Sequence, residues 1–104
     1  MTGVLLKKYH VAVMDEDPEF IQRMVKALKS WYDSRIVIEI YKDSAQMFEG
    51  INLSKAKKTP IDLTILGETD VAEKMVLQQT DPKMPVLLCH DEVCMKAQAS
   101  KFLL

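Results

Sequence analysis

"HVAVMDEDPEFIQRMVKAL", His10 to Leu28, reads as a strand, a tight turn and a helix in one stretch. Its first five residues form a short, apolar run rich in valine, which fits a strand buried on both faces. Asp17 then stands at a helix N-cap with Pro18 at N1, where the missing N–H costs nothing. From Phe20 the apolar residues fall at 20, 21, 24, 25, 28 and 31, the stripe of an amphipathic helix running to about Trp31.

The same unit repeats outward along the chain. "SRIVIEIY" alternates Ile36, Ile38 and Ile40 with Val37, Glu39 and Tyr41, so it predicts an edge strand with one less protected face. Asp43 with Gln46 three residues on has the form of a capping box, opening a helix with Met47, Phe48 and Ile51 on its apolar side. Gly50 weakens the end of that helix, and "NLSKAKKTP" reads as a polar connection. "IDLTIL", Ile61 to Leu66, is a third strand ending at Gly67. Asp70 and Glu73 are expected to cap a short helix carrying Val71, Met75 and Val76 on one side. "VLLC", Val86 to Cys89, is a fourth strand, "DEVCMKAQ" makes two helical turns, and "KFLL" is a candidate final strand.

Strands alternating with helices after short loops imply right-handed βαβ units and a parallel sheet. The expected fold is therefore α/β: a three-layer αβα sandwich with a doubly wound sheet of four or five strands in the flavodoxin-like order 2-1-3-4-5, forming one domain over residues 1–104. The composition agrees. Apolar residues make up 48% of the chain and charged residues 28%, an ordinary globular balance. A net charge of −1 supplies no field that would recruit nucleic acid or anionic lipid. Lys7–Lys8 and the group Lys55, Lys57 and Lys58 read as solvated loop charges. The apolar runs are far too short to span a bilayer, "VLL" near the start is broken by lysines, and two cysteines make no disulfide framework. No membrane insertion and a cytoplasmic location are expected.

In a doubly wound sheet the carboxyl ends of the strands form the working rim. Here that rim consists of Asp15–Glu16–Asp17, Lys42–Asp43, Gly67–Glu68 and His90–Asp91. Adjacent carboxylates at Asp15 and Glu16 could give Mg²⁺ two oxygen ligands, but the octahedron needs a further donor and the third strand offers only Gly67. Glu68 and Asp70 would reach inward only if their loop folded back. Capping is the preferred account: Asp17 caps its helix, while Asp15 and Glu16 favour the helix's positive N-terminus.

These segments, with "IDLTIL" and "MPVLLCHDE", resemble the receiver domain of bacterial response regulators over nearly the whole chain. In that family an acidic pair ends the first strand and, with a phosphoaccepting aspartate ending the third, holds Mg²⁺. A Ser or Thr after the fourth strand senses the phosphate, and a lysine after the fifth pairs with it. Carried over by position, Asp15 and Glu16 match the acidic pair, Gly67 stands at the phosphoacceptor and His90 at the hydroxyl. Phe102 matches the aromatic switch position on the last strand, and the pairing lysine has no counterpart. The resemblance implies a pseudo-receiver with a vestigial acidic pocket of Asp15, Glu16, Gly67 and His90 and no bound cofactor. A narrower resemblance, carried by the opening segment, "KAQAS" and the short middle, is to atypical receivers that precede partitioning-type ATPases in pilus-assembly and localisation proteins. No Walker sequence is present, so an ATPase or output domain would follow in a longer protein.

Other constellations are weaker. Cys89, His90 and Cys94 supply three soft ligands where structural zinc needs four, and reduced cysteines packing as small hydrophobes fit better. No catalytic constellation or phosphate loop is present. Met24, Met47 and Met75 read as core filling, and Trp31–Tyr32 as a partly buried helix end.

The expected function is a phosphorylation-independent interaction, localisation or dimerisation module that binds a protein partner or a second copy, with Cys94, Gln98 and Phe102 on the contact face. The alternatives are a working phosphoacceptor using Glu68 or Asp70, and a regulatory domain with a small-ligand pocket on the rim.

Overall fold

The computed structural model describes residues 8–103; the opening "VLL", Lys7 and Leu104 lie outside the described residues. Strand β1 (Tyr9–Met14) leads to helix α1 (Pro18–Tyr32) and a 3₁₀ turn (Asp33–Arg35). Then come β2 (Ile36–Tyr41), α2 (Ser44–Ala56), β3 (Leu63–Gly67), α3 (Val71–Thr80), β4 (Val86–Cys89) and α4 (Glu92–Ala99). The described strands form one parallel sheet in the order β2-β1-β3-β4, as the reading of alternating units expects.

Residue type explains the order. Val11, Ala12 and Val13 of β1 and Leu63, Thr64, Ile65 and Leu66 of β3 have no exposed surface, so these strands occupy the centre. Strand β2, with its alternating Glu39, takes an edge. The core is split by the sheet. On one face Val11, Val13, Leu63, Ile65 and Cys89 pack beneath Met24 and Leu28 of α1 and Met95 and Ala99 of α4. On the other, Ala12, Met14 and Leu66 meet Met47 and Ile51 of α2 and Leu77 of α3. Asp62 ties β3 to β1 below the ladder: its N–H donates to the His10 carbonyl at 2.7 Å, and its carboxylate accepts from the His10 N–H at 2.8 Å.

Four expectations need correction. Residues 101–103 form no fifth strand. The Phe102 and Leu103 N–H groups both donate to the Ala99 carbonyl, so the chain turns at the end of α4, and Leu103 is buried beside α1 and α4. Helix α2 does not weaken at Gly50; it continues to Ala56 through what read as a polar connection. Gly50 is there because a Cβ would overlap the Tyr41 ring. Third, Met75 is 57% exposed, with Val71 and Val76 also at the surface, so α3 buries Leu77 and turns its expected apolar side outward. Fourth, the Asp70 side chain does not cap α3.

Candidate functional site

The register builds the rim. Val11 pairs with Leu63 and Met14 with Leu66, so one further step along the ladder sets Asp15 beside Gly67, and Gly67 pairs with Cys89. The centre of this row has no side chain. A Cβ on Gly67 would overlap the Asp15 carboxylate and lie 3.2 Å from Asp70 Oδ2. Gly67 has an ordinary strand conformation. Space, rather than a left-handed backbone, accounts for glycine at this position.

Asp70 folds back into that space. Its backbone N–H donates to the Gly67 carbonyl at 3.0 Å, and its Oδ2 accepts from the Gly67 N–H at 3.0 Å, closing the β3–α3 turn from both sides. Partial burial pushes the Asp70 carboxyl up to about 6. The Asp15 charge adds to the rise, the Gly67 N–H opposes it, and Glu73 and Glu16 raise it further. Glu73 itself accepts from the Ser44 hydroxyl at 2.8 Å, which holds a third carboxylate near the turn. Glu68, the other acid that would reach inward only on a folded-back loop, is exposed.

The residues named from the sequence fall into two groups. Asp15 is half-buried, with Oδ1 accepting from the Asp17 N–H at 3.0 Å, and Glu16 is exposed beside it. Asp15 and Asp70 converge on Gly67, and Glu16 acts on Asp70 only through its charge. His90 does not join them. Its imidazole is exposed, with Nε2 3.3 Å from Asp91 Oδ2, and its carbonyl accepts from Arg23 of α1 at 3.2 Å. Arg23 also pairs with Glu92 at 2.8 Å.

Cys94 and Gln98 are half-buried and joined to each other: Gln98 Nε2 donates to Cys94 Sγ at 3.0 Å and to the Leu88 carbonyl at 3.5 Å. They fasten α4 onto β4. Phe102 lies in the turn beyond α4, 43% exposed. Cys89 is buried, and burial pushes its thiol up to about 12, which leaves it unionised and a poor nucleophile.

The donors do not fit the Mg²⁺ site that the family resemblance implies. Asp15 Oδ1 and Asp70 Oδ2 already accept backbone N–H groups, and the would-be ligand from β3 is missing. Among the described residues no three acids, histidines or cysteines are grouped to hold a metal ion. No described helix is long and apolar enough to cross a membrane. The sequence matches no protein-family model and no curated protein.

From sequence Asp70 reads as a cap because it stands directly before α3. The signal lay in "GETD": a glycine ending a buried strand next to an acidic strand end, with an aspartate three residues later.

Proposed function

We propose that this chain is a receiver-like module that engages protein partners without accepting phosphate. One observation carries the reading: the end of β3 has no carboxylate, and the space beside it is taken by Asp15 and Asp70. An acyl phosphate needs a carboxylate oxygen free to attack phosphorus and cations to neutralise the incoming dianion. Here the Asp70 oxygen nearest the strand accepts the Gly67 N–H, and Asp15, Glu16 and Glu73 all raise its pKa. Such a pocket repels a phosphoryl group, so contact with a partner would not wait on one.

A second reading rests on the same residue. Asp70 has brought a carboxylate back to the rim beside Gly67, and a displaced phosphoacceptor would need that position. The two readings part on one measurement. Incubation with acetyl phosphate and Mg²⁺, followed by intact-mass spectrometry, is expected to leave the mass unchanged. A stoichiometric, base-labile adduct lost in Asp70→Asn would overturn the proposal in favour of the second reading.

A further inference from the structure

Among the described residues, the two edges of the sheet are defended very differently. Strand β4 is four residues long, and the Leu88 carbonyl on it accepts from Gln98 of α4. Strand β2 is six residues long and pairs with β1 in unbroken register from Ile36 to Tyr41. It has no proline, no glycine, no bulge and a single charge, Glu39. Natural proteins blunt free edges with just those devices, and a long regular apolar edge is a template for another strand.

The side chains along this edge add a second signal. Ile36, Ile38 and Ile40 line shallow hollows between β2 and α1, which meet at Ile40. Ile40 is 49% exposed. Lys29 and Asp33 lie at the β2-entry end of this groove, and Glu16 and Lys42 lie at the exit end.

We infer that the outer edge of β2 joins a second copy of this chain, antiparallel about a two-fold axis at Ile38, so that one sheet runs through both copies. A two-fold register that keeps side chains on their own faces must pair residues of like parity. With Ile38 opposite its twin, Ile36 faces Ile40, and the isoleucines of both copies make one closed apolar stripe. Moving the axis to Glu39 would oppose two like charges, and moving it to Val37 would pair only the first half of the strand. The charges fit the same arrangement. Antiparallel pairing brings the exit end of each groove to the entry end of the other, setting Lys42 toward the partner's Asp33 and Glu16 toward the partner's Lys29. That match is to the chain's own edge and selects a second copy over an unrelated strand.

This deepens the interaction-module reading by naming its partner and surface. The test is sedimentation velocity on the full chain across a wide concentration range. Wild type is expected to pass from monomer to dimer. Ile40→Lys is expected to weaken association by roughly tenfold or more without altering the circular dichroism spectrum, or the unfolding midpoint at concentrations where both proteins are monomeric. Lys42→Glu should weaken it less, and the loss should shrink in high salt. Register is read separately, in a Cys94→Ser background. Ile38→Cys should form a disulfide between copies under mild oxidation, because it meets its own twin, whereas Val37→Cys should not. A wild type that stays monomeric overturns the inference, as does a dimer indifferent to Ile40→Lys or one that cross-links equally through Val37→Cys. Failure here with an unchanged mass under acetyl phosphate removes this interface alone. A dimer that accepts phosphate keeps the interface and removes the interaction-only reading.

Discussion

Each of α1, α2, α3 and α4 begins directly after an aspartate, yet the four carboxylates do not behave alike. Asp17 accepts from the Glu19 N–H at 2.9 Å, Asp43 from the Gln46 N–H at 2.8 Å and Asp91 from the Cys94 N–H at 2.7 Å. Each satisfies a donor that the first turn of its helix leaves unpaired. Asp70 turns the other way and accepts from Gly67, behind it in the chain. The strands before the three forward caps end in Met14, Tyr41 and Cys89, each of which carries a side chain. Only Asp70 follows a strand that ends without a side chain. A cap residue is thus available for other work when the preceding strand leaves room for it, and the rim at Gly67 exists because that room was taken.

Gly67→Ala should have the largest effect on this arrangement. The new methyl must displace the Asp15 carboxylate, whose other oxygen accepts the Asp17 N–H and is drawn along with it. Overpacking of this kind costs about 1–3 kcal/mol. Urea unfolding should find that loss in the wild-type background and a smaller one when Asp15→Ala is already present. Additive losses would mean that Asp15 is not what fills the space beside Gly67.

The forward caps come next. Asp17→Ala, Asp43→Ala and Asp91→Ala should each cost about 1 kcal/mol in the same assay. Asp70→Ala should cost less than any of them, since its side chain makes no bond to α3 and the loss of its bond to the Gly67 N–H is offset by removing a charge set among other acids. Were Asp70→Ala as damaging as the other three, the contrast between forward and backward carboxylates would have no energetic content.

Much of the fold was legible because it depends on local chemistry. Valine-rich runs, aspartates before apolar stripes and Pro18 after Asp17 mark elements without reference to anything distant. The alternation of Ile36, Ile38 and Ile40 with Glu39 likewise identified an edge. What escaped depends on neighbours far along the chain. Helix α2 runs on through Gly50, and the Tyr41 ring, from β2, occupies the space a side chain would take. The apolar tail after α4 looked like a strand, but the Ala99 carbonyl gathers two of its N–H groups and turns Leu103 into the core. Met75 matched a helical stripe, yet α3 packs through Leu77 and leaves Met75 outside. At the candidate site, Asp15, Glu16 and Gly67 were legible as strand ends. The backward turn of Asp70 was legible only as a condition, because whether its loop folds back depends on the shape left when those ends come together.

The smallest expected effect gives the sharpest test of that turn, because it has a sign and a pH window. The Asp70 carboxyl stands at about 6, above its ordinary value, through burial and the neighbouring charges of Asp15, Glu73 and Glu16. A carboxyl raised on folding binds its proton more tightly in the native state than in the unfolded chain. Its contribution to stability is therefore full below the ordinary carboxyl range and is lost as the pH rises through about 6. Asp70→Asn keeps an oxygen to accept the Gly67 N–H but carries no charge at any pH. The variant should match wild type near pH 4, where Asp70 is protonated, and exceed it near pH 8, where the wild-type carboxylate is ionised among other acids. Because the group is partly solvated, screening should hold the gain below about 1 kcal/mol. Thermal melts of the two proteins at both pH values measure the difference directly, and titrations shared by wild type and variant cancel in the comparison. A gain equal at the two pH values would trace to amide packing rather than charge. A loss at pH 8 would mean that the ionised form of Asp70 helps to hold the turn, and the picture of a crowded, repelling pocket would be wrong.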